Sequence, residues 1–248
     1  VTSGFDRAPG LPPADGGPSL SVITAVYDNA DTLEELWRRV AQTLEAAAIP
    51  FELIFVDDAC PNGSGAIMAR TARRDVRVRV VTHPANLGQD RALLSGLRVC
   101  AGDAAVLMDA DLQDLPEVIP LMAEQLAKTQ SDAVFADRRG RYESYARLAT
   151  SRVYRWLLAR LTRLPPGACL FVMMNRRVID DLLAQPPACP WLLPRLGQVV
   201  GVRGSLPFER SPRPAGRSAY STWRRIHKGA SSLLWAAALR GSREHHGR

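Results

Sequence analysis

At 248 residues the chain is long enough for one large α/β domain with a well-buried core. Its formal charge is +7, carried almost wholly by arginine, because Lys128 and Lys228 are the only lysines. Arginine's planar fork suits phosphate groups, but no basic helix interleaved with aromatics, no zinc-finger spacing and no RNP-like run is present, which argues against nucleic acid as a partner.

Residues 1–18 are rich in Pro and Gly without periodicity and read as a disordered arm. A strand is expected over 21–26, followed by an amphipathic helix from Asp31, where Asp31-Thr32-Leu33-Glu34 has the form of a capping box. A strand over 51–56 ends in Asp57-Asp58, a helix follows Pro61-Asn62-Gly63, and a third strand covers 78–82. Asn86-Leu87-Gly88-Gln89 opens a helix that runs to about Cys100, and an apolar strand spans 104–108. Further on come a helix over 116–128, a strand over 133–136 and a long helix over 145–163. A strand over 168–174 and a helix over 176–184 complete the alternation. Strands alternating with helices of this length imply βαβ crossovers and a mainly parallel sheet. Residues 210–220, with Pro212, Pro214 and Gly216, read as a mobile loop. Residues 221–239 read as a basic amphipathic helix with Trp223, Ile226, Ala230 and Leu233 on one side.

Cys60, Cys100, Cys169 and Cys189 are scattered without a Cys-x-x-Cys pair, as expected of free thiols in a reducing compartment. No signal peptide is evident, and no apolar run approaches the ~20 residues needed to span a bilayer. The expectation is a cytoplasmic protein, soluble or attached to the inner face of the membrane.

The most informative stretch is Met108-Asp109-Ala110-Asp111-Leu112-Gln113-Asp114, directly after the fourth strand. Continued in extended geometry, Asp109, Asp111 and Gln113 share one face. Three oxygen donors at a strand end suit a hard divalent cation, Mg²⁺ or Mn²⁺, and ligand sites in open parallel sheets lie beyond the carboxyl ends of strands. Asp114-Leu115-Pro116-Glu117 reads as a second capping box, which assigns Asp114 to the next helix.

Taken together these motifs resemble the family-2 glycosyltransferases of GT-A fold, and in particular the bacterial polyprenyl-phosphate glycosyltransferases related to dolichyl-phosphate mannose synthase. The resemblance covers residues 20–220. It rests on Val26-Tyr27-Asp28-Asn29, Val56-Asp57-Asp58, Asn86-Leu87-Gly88-Gln89 with Ala92 and Gly96, the run from Met108 to Asp114, and the loop from Arg213 to Tyr220. It implies an α/β, single-domain GT-A (nucleotide-diphospho-sugar transferase) fold with a mainly parallel central sheet flanked by helices, over residues 19–220.

By that resemblance Ala25, Tyr27, Asp57, Asp58, Asn86, Gln89 and Asp109 contact the donor nucleotide, while Asp109, Asp111 and Gln113 hold the cation on the donor diphosphate. Arg138 and Arg139 after the fifth strand, Arg147, and the loop residues Arg210, Arg213, Arg217, Ser218 and Tyr220 populate the phosphate-binding positions. Asp111, Arg138, Arg213 and Ser218 are the catalytic candidates. A loop bearing arginines could close over the diphosphate and exclude water.

Three positions depart from the pattern. Ala25 stands where proline is usual and Asn29 where glutamate is usual, and Leu164-Pro165-Pro166-Gly167 lacks the aspartate that many relatives carry before this glycine. A phosphate monoester acceptor, with a second pKa of about 6, is already ionised and needs no base; a sugar hydroxyl would need one. Many bacterial relatives also continue into two transmembrane helices, whereas this sequence stops after the basic helix. That helix either meets the membrane interface, packs on the domain or forms a homodimer contact.

The reading is a metal-dependent, inverting glycosyltransferase moving a sugar from a nucleoside diphosphate, UDP rather than GDP, onto a polyprenyl phosphate. Transfer to a soluble secondary metabolite and a non-catalytic nucleotide-sugar-binding protein are the alternatives. A nucleotidylyltransferase would need a Gly-rich basic loop after the first strand, and Tyr27-Asp28-Asn29-Ala30 is not one.

Overall fold

The computed structural model describes residues 20–139, 145–186, 189–209 and 222–246. Seven strands form one sheet in the order β3-β2-β1-β4-β6-β5-β7. They are β1 (Leu20–Val26), β2 (Phe51–Asp57), β3 (Val78–Thr82), β4 (Ala104–Asp109), β5 (Ala133–Arg139), β6 (Val172–Asn175) and β7 (Arg203–Glu209). All pairings are parallel except those of β6, which runs antiparallel to both β4 and β5. The fold is therefore the mainly parallel α/β sheet that the alternation predicts.

Between the strands run α1 (Leu33–Ala46), α2 (Ser64–Arg74), α3 (Gln89–Val99), α4 (Ile119–Lys128), α5 (Tyr145–Thr162), α6 (Arg176–Ala184) and α7 (Leu192–Val199), and after β7 comes α8 (Thr222–His246). Strand alternation divides the core. Val22, Phe55, Val106 and Val134 face Leu36, Val40, Met68, Ile119 and Met122 of α1, α2 and α4. Ile23, Ile54, Leu107 and Phe135 face Leu93, Leu97, Ile179, Leu182 and Leu196 of α3, α6 and α7. Phe55, Phe135 and Phe171 are fully buried, each contributing about 2–3 kcal/mol of transfer free energy.

The chain reverses direction across the sheet between β1 and β4, since β2 and β3 lie on one side of β1 and the later strands on the other. Such a switch point leaves a crevice beyond the carboxyl ends of the two central strands. Three residues other than glycine with positive φ lie at these strand ends: Asp28 (φ 62°), Ala59 (57°) and Leu112 (61°). The loops after β1, β2 and β4 thus turn sharply at the crevice, at a steric cost to each residue.

Neither helix is capped at the residue the sequence suggests, Asp31 or Asp114. Residues Ala30–Thr32 make a 3₁₀ turn, and the cap of α1 at Thr32 has no side-chain hydrogen bond. The Thr32 hydroxyl instead donates to the carbonyl of Ala110, 2.6 Å away. Before α4 the 3₁₀ turn Pro116–Val118 is capped by Leu115, again without a side-chain bond. Asp114 is fully buried and accepts the Asp109 N–H at 3.1 Å.

β6 begins only at Val172, because Pro165 accepts the Ala168 N–H and turns the preceding residues out of the ladder. α7 and β7 were not anticipated. Pro194 and Gly197 disguise α7, and Gly204 and Pro207 disguise β7, which tolerates proline as an edge strand. Of the expected apolar stripe of the last helix, Ala230 is exposed and Leu233 half-buried, and the side chains of Trp223 and Ile226 lie outside the described residues; Ser232 and Ala236 are buried. Small residues there let α8 lie against α5 and α7, where Ser232 meets the Tyr154 hydroxyl at 3.1 Å and Ser231 accepts the Trp191 indole N–H at 3.1 Å. Residues 1–18, the expected arm, and the loop 210–220 lie outside the described residues. Among the described residues no helix is long and apolar enough to cross a membrane.

Candidate active site

The loops that follow β1, β2, β3 and β4 all emerge at the carboxyl edge of the sheet, around the β1/β4 crevice. Ladder register brings their residues together: Ala25 pairs with Asp109, and Val26 with Asp57. The β1 and β2 loops are tied by Asn62, whose amide donates to Asp28 at 2.8 Å, and by the Asp58 N–H, which donates to the Val26 carbonyl at 3.0 Å. Tyr27 is half-exposed at the rim.

Asp57 and Asp58 differ in what they do. Asp57 is buried, accepts the Cys60 N–H at 2.9 Å, and rests against the first turn of α2, where Gly65 leaves room for its Oδ2. Asp58 is only 2% exposed, and its carboxylate accepts three hydrogen bonds, each 2.8 Å long. Oδ1 takes the Leu87 N–H and the His83 ring, and Oδ2 takes the Gly88 N–H. Most of its acceptor capacity of about four lone pairs is therefore spent within the protein. Asp58 fixes the turn that opens α3, and does not cap α2, whose N-cap is Gly63. Gly88, at φ 89° and ψ 155°, occupies a conformation suited to glycine.

That turn delivers Gln89 to the acidic run, and its amide donates to Asp109 Oδ1 at 2.6 Å. β4 ends at Asp109, and the run does not continue in extended geometry: residues 110 and 111 form a turn and Leu112 is left-handed. Asp111 and Gln113 are drawn together by this turn instead of by strand alternation, with the Gln113 N–H on Asp111 Oδ1 at 3.1 Å. Asp111 and Gln113 are buried, whereas Asp109 is half-buried.

The donor set fits a hard cation. Two carboxylates and a carboxamide offer oxygen ligands only, the set preferred by Mg²⁺ and Mn²⁺. Among the described residues no group of three His, Cys, Asp or Glu gathers as a metal site, so here the set is two carboxylates with the Gln113 carboxamide. Cys60 is not a nucleophile: burial pushes its thiol up to about 11, and Sγ donates to the Val26 carbonyl at 3.1 Å. All four cysteines are free.

Asn86 is exposed on the loop before Gly88. Arg138 lies on β5 opposite Phe208 of β7, but its side chain and those of Arg139 and Arg147 lie outside the described residues, as do Arg210, Arg213, Arg217, Ser218 and Tyr220 altogether. Reasoning from sequence missed His83, Ser95 and Asp90. Asp90 is buried at the start of α3, accepts the Leu192 N–H at 3.0 Å and pairs with Lys228 of α8 at 2.6 Å. The available signal was position alone: His83 directly follows a parallel strand.

Over 226 residues the chain is 28% identical to an uncharacterized glycosyltransferase of Synechocystis sp., an alignment spanning 90% of this chain and 68% of that protein. It is 28% identical over 212 residues to the undecaprenyl-phosphate 4-deoxy-4-formamido-L-arabinose transferase of Salmonella choleraesuis. That alignment spans 84% of this chain and 64% of the transferase, so the chain covers less than two thirds of that relative's length. Among solved structures, it resembles glucosyl-3-phosphoglycerate synthase of Mycobacterium tuberculosis in complex with Mn²⁺, UDP-glucose and phosphoglyceric acid, with a TM-score of 0.63 at 18% identity over 90% of this chain and 80% of the other. Mannosyl-3-phosphoglycerate synthase of Rubrobacter xylanophilus gives 0.63 at 15% identity, over 92% and 75%. These likenesses establish the GT-A glycosyltransferase fold. The family described as Glycosyl transferase family 2 matches residues 21–183. With the fold, the strand-end carboxylates and that match in agreement over well more than half its length, the chain belongs to glycosyl transferase family 2.

Proposed function

We propose that the chain is a metal-dependent, inverting glycosyltransferase that moves a sugar from a nucleoside diphosphate, UDP rather than GDP, onto a polyprenyl phosphate. The observation that carries this is the convergence of Asp57, Gln89, Asp109, Asp111 and Gln113 at the β1/β4 crevice. The Salmonella relative, whose name specifies undecaprenyl phosphate, supports the acceptor class.

Asp57 accepts the imide N–H of uracil or a ribose hydroxyl, with Ala25, Tyr27 and Asn86 bordering the nucleotide. Asp109, Asp111 and Gln113 hold Mg²⁺ or Mn²⁺, which when bound supplies Lewis-acid stabilisation of the departing diphosphate. Gln89 orients Asp109 by its amide hydrogen bond. Arg138, Arg213 and Ser218 bind the donor diphosphate and the acceptor phosphate. An acceptor phosphate oxygen attacks the anomeric carbon as the bond to the diphosphate breaks, and the bonding pair leaves with the nucleoside diphosphate. The attacking monoester is already ionised, with a second pKa of about 6, so no proton must be removed. This is consistent with Pro165 and Pro166 standing before Gly167.

The acceptor lies in a bilayer, and the exposed side chains Val153 and Trp156 of α5 and Leu234 of α8, with Arg160 and Arg240 nearby in sequence, support peripheral contact with an anionic membrane. Incubating purified protein with UDP-sugars, a short-chain polyprenyl phosphate and Mg²⁺ or Mn²⁺ is expected to release UDP in a metal-dependent manner. No release above the donor-only blank refutes the lipid acceptor. Turnover with a soluble acceptor and no lipid or detergent would replace it with the small-molecule reading, and binding of UDP without any turnover with the scaffold.

A further inference from the structure

Directly after β3, His83 is 8% exposed and lies at the centre of a hydrogen-bonded path that leads to the proposed donor site, although the ring itself has no part in the proposed chemistry. Its backbone N–H donates to the Asp57 carbonyl at 2.9 Å. Its Nδ1 is 2.8 Å from Asp58 Oδ1, and its Nε2 is 3.0 Å from the Ser95 hydroxyl in the middle of α3. A carboxylate can only accept, so Nδ1 carries a proton, and in the neutral ring Nε2 receives the Ser95 hydroxyl. The ring is thereby held at both nitrogens, by α3 on one side and by Asp58 on the other.

From Asp58 the path continues through the Leu87 and Gly88 N–H groups into the turn that opens α3, and then through the Gln89 amide to Asp109. The path joins the carboxylate pair at the end of β2 to the acidic run at the end of β4, around the crevice. The order Ser95–His83–Asp58 resembles a hydrolase relay, but Ser95 sits inside a helix and Asp58 is engaged by two backbone N–H groups, so no exposed nucleophile results.

We infer that His83 is the positioning residue that sets the Asp58 carboxylate against the 87–88 turn and, through Gln89, fixes Asp109 for the donor diphosphate. Loss of the ring leaves the buried Asp58 charge one donor short. The carboxylate then reorients towards water, and the turn carrying Gln89 loosens. The inference rests on the donor site proposed above, and its test separates the two.

The variants are His83→Leu, which removes both ring nitrogens, and His83→Asn, whose amide N–H can still reach Asp58. One measurement is amide hydrogen exchange at Leu87 and Gly88; the other is UDP affinity by calorimetry in saturating Mn²⁺, beside the thermal midpoint. His83→Leu is expected to speed exchange at both amides and to weaken UDP binding roughly tenfold, the scale of one hydrogen bond to a charged group. His83→Asn should recover most of both. If a folded His83→Leu protein keeps wild-type exchange at these amides, or if Leu and Asn variants are equally impaired, the inference is overturned. If His83→Leu fails to fold, the comparison of His83→Asn with Ser95→Ala decides: Ser95→Ala must accelerate exchange at the same two amides, and unchanged exchange in it overturns the inference. Wild-type protein that binds no UDP defeats the proposed donor site, while the exchange measurement still judges His83.

Discussion

Gly96 in the middle of α3 is where a single methyl group should unseat the crevice. A Cβ built there overlaps Ile23 Cγ2 on β1 and lies 3.2 Å from Val56 Cγ2 on β2. Both neighbours are β-branched, fully buried and stiff at χ1, so neither can swing away. Restoring a normal carbon–carbon separation of about 3.5–4.0 Å requires α3 to lift from the sheet by on the order of 1 Å. Overpacking of that kind costs about 3 kcal/mol, and alanine's better helix propensity returns about 1 kcal/mol. The net loss for Gly96→Ala is therefore about 2 kcal/mol, or roughly 4–8 °C in thermal midpoint for a chain of this size. The assay is a thermal melt of four proteins: wild type, Gly96→Ala, Ile23→Ala and the double variant. Ile23→Ala alone costs about 2–5 kcal/mol through its cavity, but it also empties the space the new methyl group needs. The double variant should be more stable than the sum of the singles by about 1 kcal/mol or more. A Gly96→Ala protein as stable as wild type, or strict additivity in the cycle, refutes the close approach of α3 to β1.

Thr24 Oγ1 on β1 is buried and has no hydrogen-bond partner among the described residues, so Thr24→Val, nearly isosteric, should raise stability by about 1 kcal/mol; a lower melting temperature would contradict this. Asp114 is fully buried beneath Asp109, and Asp114→Ala should cost about 2–4 kcal/mol by stranding buried donors, with sugar transfer falling more than donor-independent measures of folding. Equal activity per folded molecule would show that Asp109 needs no such support. The Arg77 guanidinium, with help from the Trp37 indole, pulls the Asp75 carboxyl from 3.8 to about 2. The folded form thus has the lower pKa, so the stabilisation is present above about pH 4 and is lost as pH falls towards 2. Asp75→Asn should be less stable than wild type in urea at neutral pH, and the gap should close on acidification; a gap independent of pH would refute the assignment.

Much of the fold could be read from the chain. Short apolar runs such as 104–108, separated by amphipathic stretches at helical spacing, impose a parallel sheet because each crossover must bury one helical face. The same patterning placed Asp57, Asp58 and the acidic run at strand ends. Elements without that signal were invisible: β7 carries Gly204 and Pro207, and α7 carries Pro194 and Gly197, so both depend on what they pack against.

The site divides along the same line. Composition and spacing determined which oxygen-bearing side chains lie at the carboxyl edge, because strand ends are local features. Which partner each one takes was decided by tertiary contacts. Thr32, inside the expected Asp31–Glu34 capping box, donates to the Ala110 carbonyl, and Asp114 accepts the Asp109 N–H, since a buried polar group needs the partner the fold brings nearest. Asp111 and Gln113 meet through a left-handed turn at Leu112, not through strand alternation. His83 joins Asp58 to Ser95 only after α3 has packed on β1 and β2. Local patterning therefore fixed the inventory of the crevice, and the long-range hydrogen bonds of a closed α/β core fixed its wiring.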